Sequence, residues 1–330
     1  MLEAGSFETV IARNEGQRND DSNTFNFKMK KLTILFLLFS ILSFAQKAEL
    51  KKEISKITEG KKATVAVSVL GIDFPFQYNN ENAKKKLPMQ SVFKFHIALA
   101  VLDLVDQGKL DLNQKIFIKK SELLPNTWSP IREKNPDGNF EIPLAELLKW
   151  MVSESDNNCT DIILRLIGGT KSVQDFIYSN KISETQIKFN EEDCHKILNL
   201  QYQNYTNTKS LNSALKRFTK GELLSKTSTD FLYQLMVETS TGKNRLIAGL
   251  PKSVEIAHRT GTSFTENGLT PATNDAGIVT LPSGKKYAIS VFVSDSKESF
   301  ETNEKMISDI SKVVYENLSK EKKGFFFNWK

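Results

Sequence analysis

Histidine and cysteine are scarce, three and two in 330 residues. His96, His195 and His258 stand alone, and Cys159 and Cys194 lack the paired spacing of a zinc site, so no metal and no cofactor is expected. Two thiols make no disulfide framework either, and whether they bridge is open. A chain this long can rest on its own hydrophobic core. No apolar run crosses a bilayer: the longest, Leu32 to Phe44, would span roughly 20 Å as a helix against a hydrocarbon core of about 30 Å. Repeats and low-complexity stretches are absent. Positive charge is in excess, a formal +6, but it is not concentrated. Lysines alternate with acids, as in Lys51-Lys52-Glu53 and Lys297-Glu298, with no basic element carrying aromatic platforms. That pattern reads as a solvated surface and excludes nucleic acid as a partner.

The apolar run follows Met29-Lys30-Lys31 and ends at Ala45-Gln46. A positive start, a short apolar stretch and a small residue at the end make a cleavable export signal over 29–45. No cysteine follows it to accept a lipid, so no stable membrane anchor is expected after cleavage. Residues 1–28 are polar and without hydrophobic period, an upstream extension preceding translation from Met29.

The mature region predicts helices at 47–59, 93–105, 144–152, 158–167, 171–179, 209–219, 228–239 and 300–318 from apolar spacing. Strands are expected at 63–70, with 74–78 as hairpin partner, and at 254–258, 275–281 and 287–293. The last two join through Pro282-Ser283-Gly284-Lys285, a hairpin turn. Strands at both ends and helices between imply an antiparallel sheet flanked by helices, with an all-α lobe inserted and a cleft between. The expected α/β lobe is 47–82 with 245–321, the all-α lobe 83–244, and 322–330 a C-terminal tail.

Four motifs with chemistry occur in order. Ser91-Val92-Phe93-Lys94 opens an apolar helix and places a hydroxyl and an amine on one side of it. Serine needs a base to become a nucleophile, and a lysine whose pKa is depressed can serve. Alone the pattern means little: Ser-x-x-Lys recurs at Ser213, Ser240, Ser283, Ser294 and Ser319, and a capping serine with a surface lysine looks the same. Ser155-Asp156-Asn157 offers a hydroxyl to relay a proton and an amide to hold both a substrate amide and Lys94, or is a capping turn. Glu191 lies in a stretch without clean period, 185–207, where a carboxylate can deprotonate water or simply be solvated. Arg259-Thr260-Gly261-Thr262 gathers a cation and two hydroxyls into a receptor for a substrate carboxylate, with Gly261 leaving room for that substrate, or is a strand with a glycine bulge.

Taken together, the order and spacing of these motifs resemble class A serine β-lactamases over residues 47–320, most nearly their cephalosporinase and extended-spectrum branch. The resemblance implies the two-lobe α/β (α+β) fold of serine β-lactamases and transpeptidases, in a bacterial periplasmic monomer acting on a small β-lactam. It implies Ser91 as nucleophile, with the backbone N–H groups of Ser91 and Thr262 as oxyanion hole. Lys94, or Glu191 through a water, would be the acylation base. Ser155 would protonate the ring nitrogen, Asn157 bind the acylamide, Glu191 activate the deacylating water, and Thr260 and Thr262 hold the carboxylate. Trp128 falls where the family has an aromatic at the cleft rim, although a packing role fits it equally. Three departures stand out. Arg259 replaces a lysine and can never give up its proton. Arg245 matches an arginine that reinforces the carboxylate site in part of the family; otherwise it is a surface cation. His195 and Asn204 replace an Asn and an Asp of the active-site loop, so the ion pair that closes it is missing; His195 would help hold the water or bond structurally. The functional alternatives are a D-alanyl-D-alanine carboxypeptidase or transpeptidase and a non-enzymatic β-lactam sensor.

Overall fold

Alternating valines in β1 (Thr64–Gly71) put Val65, Val67 and Val69 on one side and Ala66 on the other. The computed structural model describes residues 46–320; the expected extension at 1–28, signal at 29–45 and tail at 322–330 lie outside them. The chain divides into Met1–Glu49 and Leu50–Lys330. The second unit holds every element from β1 onward and all but the first residues of helix α1 (46–58).

Five strands form an antiparallel sheet in the order β2-β1-β9-β8-β7. Here β2 is Gln77–Asn79, β7 Ile256–Thr262, β8 Thr270–Thr280 and β9 Lys286–Ser296. The chain ends therefore meet in the middle of one sheet, with Val67 opposite Val291 and Thr273 opposite Val293. The hairpin turn closes where proline and glycine predict it, between Leu281 and Lys285, with Gly284 at φ 77°. One face packs Val65, Val67, Val69, Ile289 and Val291 against Leu50 and Ile54 of α1 and Met306, Ile307, Ile310 and Val314 of α10 (Phe300–Ser319). The other face, with Ala66, Ile278, Ala288 and Phe292, joins one continuous core with the helical middle. The two lobes thus share a core, and the cleft is a surface between them.

That middle is built around α2 (Phe93–Asp106), buried from Phe93 to Leu102. A helix apolar all round has no face to give to water and goes to the centre. Around it lie α4 (Leu144–Val152), α5 (Asn157–Leu166), α6 (Thr170–Ser179), α8 (Thr208–Thr219) and α9 (Lys226–Val237). Several elements escape the sequence pattern for want of length. Two-residue β3 (Leu87–Pro88) pairs with β6 (Tyr205–Thr206), and β4 (Lys115–Ile118) with β5 (Phe140–Pro143). A short α3 (Pro130–Lys134) starts on Pro130. The stretch 185–207, expected to be irregular, contains α7 (Glu191–Lys196), started by the Asn190 side chain accepting Asp193 N–H at 2.8 Å. Six residues are too few to show a period. Cys159 and Cys194 are both free thiols.

Candidate active site

The chain enters α2 through a single 3-10 turn, Gln90–Val92, with Gln90 in the left-handed region at φ 49°. Gly261 permits this turn: a Cβ there would stand 2.3 Å from Met89 O and 3.0 Å from Gln90 Cβ. The expectation that Gly261 makes room for substrate is thereby corrected. Its missing side chain is filled by the backbone leading to Ser91. Ser91 itself lines the cleft, and its hydroxyl makes no hydrogen bond among the described residues.

Lys94 is not a surface lysine, since it is 0% exposed. Its Nζ donates to Ser155 O at 2.8 Å and Asn157 Oδ1 at 2.5 Å, and lies 3.0 Å from Glu191 Oε1, with Ser155 Oγ at 3.4 Å. Burial lowers its pKa, Glu191 works against that, and the Arg259 charge adds to it. Three motifs far apart in sequence converge on one amine. Ser155 is held at φ 62° and receives a hydrogen bond from Arg259 Nη2 at 2.5 Å. Below it, the buried Asp156 carboxylate accepts from Ser129 Oγ at 3.0 Å, Ile131 N at 2.8 Å and Cys159 N at 2.9 Å. This clamp joins the Ser155–Asn157 turn to the segment carrying Trp128. Asn157 Nδ2 is steadied by Thr127 Oγ1 at 2.8 Å.

The opposite wall is β7, an edge strand. Ser263 N bonds to Ala272 O at 2.9 Å, so by alternation the neighbouring Thr262 N–H turns outward to the cleft. Thr260 and Thr262 line that wall. Arg259 alternates to the inside, where burial lowers its pKa to about 10, so it remains charged at neutral pH; its Nε and Nη1 have no partner among the described residues. Arg245 is 3% exposed, which removes the surface alternative. It ion-pairs with Glu304 Oε1 at 3.0 Å and donates to Gly261 O at 3.1 Å and Thr262 Oγ1 at 2.7 Å. It braces the strand from behind rather than facing the cleft.

Glu191 begins α7, where its own N–H and that of Glu192 are each 2.9 Å from an oxygen of Asp161. Burial, then the Glu191 charge, raise Asp161 to about 7, against the pull of those two N–H groups. Asn204 closes the loop in place of an ion pair. Its Oδ1 accepts from Lys188 N at 2.8 Å and Phe189 N at 3.0 Å, and its Nδ2 donates to Phe189 O at 2.8 Å. Its own carbonyl accepts Met89 N–H at 2.9 Å, and Gln201 bonds to Gln90, so the loop is tied to the turn before Ser91. His195 is exposed and makes no side-chain hydrogen bond among the described residues, which leaves a structural bond without support. Cys194, one turn from Glu191, also faces the cleft; burial raises its thiol to about 12.

The cleft has a volume of about 330 Å³. Ser91, Trp128, Ser155, Asn157, Glu191, His195, Thr260 and Thr262 line it, while Lys94, Arg245, Arg259 and Gly261 stand behind its walls. Trp128 is 55% exposed and donates Nε1–H to Glu154 O at 3.0 Å, so it is a rim residue rather than a packing one. Across from it, Phe264 is 77% exposed. The sequence pattern missed Phe264, Thr127, Gln90 and Gln201, which carry no motif, and Asp161. The last had a signal: four residues after Asn157, it shares that residue's face of α5.

Residues 49–318 match the model of the β-lactamase enzyme family. The chain is 46% identical to β-lactamase VEB-1 of Pseudomonas aeruginosa, over 86% of this chain and 95% of that protein. It is 44% identical to the extended-spectrum β-lactamase PER-1 of the same species, over 86% and 92%. The crystal structure of TLA-3 extended-spectrum β-lactamase superposes with a TM-score of 0.81 at 49% identity, covering 83% of this chain and 100% of that one. A class A β-lactamase from Bacteroides cellulosilyticus DSM 14838 gives 0.79 at 40%, covering 84% and 99%. With the family matched from the first described helix into the last, and its Ser91, Ser155 and Glu191 motifs meeting at Lys94, the chain belongs to the β-lactamase enzyme family, in class A.

Proposed function

We propose that the protein hydrolyses β-lactam antibiotics, cephalosporins above others, through an acyl-enzyme on Ser91 that a Glu191-activated water releases. The observation that carries this reading is Lys94 Nζ, within hydrogen-bond reach of Ser155, Asn157 and Glu191 together. Ser91 Oγ attacks the ring carbonyl, and the N–H groups of Ser91 and Thr262 take the developing oxyanion. Such a donor contributes roughly 3–4 kcal/mol to the transition state. Lys94 donates to Ser155 and Asn157 and lies at ion-pair distance, 3.0 Å, from the Glu191 carboxylate, and in this reading Glu191 acts through a water as the acylation base. Ser155, held by Arg259, passes a proton to the ring nitrogen and is reprotonated by Lys94, 3.4 Å away, which takes back the proton held by Glu191 and so restores the carboxylate before deacylation. Arg259 is charged throughout, so its part is electrostatic. Thr260 and Thr262 hold the substrate carboxylate, Asn157 the acylamide, and Trp128 the far edge of the side chain. Water then attacks the ester carbon, its proton going by way of Glu191 to Ser91 Oγ as the ester bond breaks.

A cell-wall carboxypeptidase or transpeptidase would acylate but lacks a carboxylate where Glu191 stands. Purified protein is expected to turn over nitrocefin many times per molecule. One acylation per enzyme without further turnover would instead assign it to that class. We also propose export to the bacterial periplasm as a monomer, the 29–45 segment being removed. Among the described residues no helix is long and apolar enough to cross a membrane. A mature N-terminus at Gln46 and a monomer mass in gel filtration are the expected results.

A further inference from the structure

Glu191 has a second cavity behind it. This one, of about 250 Å³, lies between the 124–127 segment and α7. Thr127, Asn157, Glu191 and His195 line both it and the cleft, so the partition is a single layer of side chains. Polar residues stand in the rear walls, Asn126, Asn158, Asp161 and Glu192 with Lys196 beside them, although Leu124, Pro125 and other carbon surface make up most of the lining. Asp161 pins the start of α7 through two backbone N–H groups, which keeps the partition in place. A space of this size has room for several waters, and these polar groups give them partners to bond.

Every turnover consumes one water. Its oxygen goes to the acyl carbon, and its proton by way of Glu191 to Ser91 Oγ. A cephalosporin esterified to Ser91 fills the front cleft, so a replacement water has to come past the acyl group or from elsewhere. We propose that the rear cavity is the water supply of Glu191, open past Asn126 and Lys196 while a bulky acyl group obstructs the front. The proposal rests on the reading of Glu191 as the base that activates water.

Plugging the rear tests it. Asn126 and Lys196 are exposed and line only the rear cavity, so Asn126→Trp and Lys196→Trp obstruct it from opposite walls. In single-turnover mass spectrometry, with thermal melting as a control on folding, acylation is expected to stay within about twofold. Deacylation of a cephalosporin with a large acylamino group should slow about tenfold or more, a difference of 1.36 kcal/mol per tenfold. A penicillin nucleus without side chain, which leaves the front open, should deacylate normally. Unchanged deacylation of the bulky substrate in both folded variants overturns the proposal, and so does an equal fall in acylation and deacylation. Glu191→Ala separates the two levels. Normal turnover there sinks the base assignment, whereas an accumulating adduct beside unaffected tryptophan variants sinks only the water route.

Discussion

His96 is a fully buried imidazole on α2, and neither ring nitrogen has a hydrogen-bond partner among the described residues. Burial lowers its pKa to about 4. An unpaired buried polar group costs about 1–3 kcal/mol. His96→Leu should therefore raise the melting temperature. The sign with pH follows from linkage. A depressed base contributes stability present above its ordinary pKa of 6.5 and lost as pH falls towards about 4. The gain from His96→Leu should thus grow over that interval in thermal melts. A lower melting temperature for the variant would mean that the imidazole has a partner, such as water. Asp161 runs the other way. An acid raised to about 7 contributes stability that is present below its ordinary pKa and lost as pH rises through 7. Asp161→Asn removes that titration, so its melting temperature should gain on the parent's between about pH 5 and about pH 8. A difference constant with pH would contradict the assignment.

Elements were legible in proportion to their length. The helix over 144–152 and the hairpin turn after Leu281 stand where spacing and turn residues put them, because ten or so residues suffice to show a period or a break. The loop around Glu191 was not legible. Its order comes from single side chains, Asn190, Asn204 and Asp161, whose partners are up to 31 residues away. Gly261 shows the same limit: in sequence a small residue on a strand looks like space for a ligand, and in the fold the space belongs to Met89. Gly261→Ala should push the turn before Ser91 off β7, because its Cβ would lie 2.3 Å from a backbone oxygen. A fall in acylation rate of about 100-fold is expected, on the scale of what a misplacement of about 1 Å costs. Stopped-flow acylation checks it, and an unchanged rate would show that the turn has slack.

Across the whole molecule the fold places chemistry by convergence. Lys94 comes from the central helix, Ser155 from the turn before α5, Glu191 from the loop and Arg259 from the edge strand, and no two of these elements adjoin in sequence. Ser-x-x-Lys is nearly meaningless locally, since five other copies exist, and among the described residues the buried amine sets the Ser91 copy apart. The proposed cycle needs Glu191 for its second half in particular. Intact-protein mass spectrometry of Glu191→Ala mixed with a cephalosporin probes that need without intermediaries. A stable one-to-one adduct is expected, mapping to the Ser91 peptide and hydrolysing at least about 100-fold slower than in the parent, within the usual range for general base catalysis. Normal turnover with no adduct on Ser91 would refute the cycle.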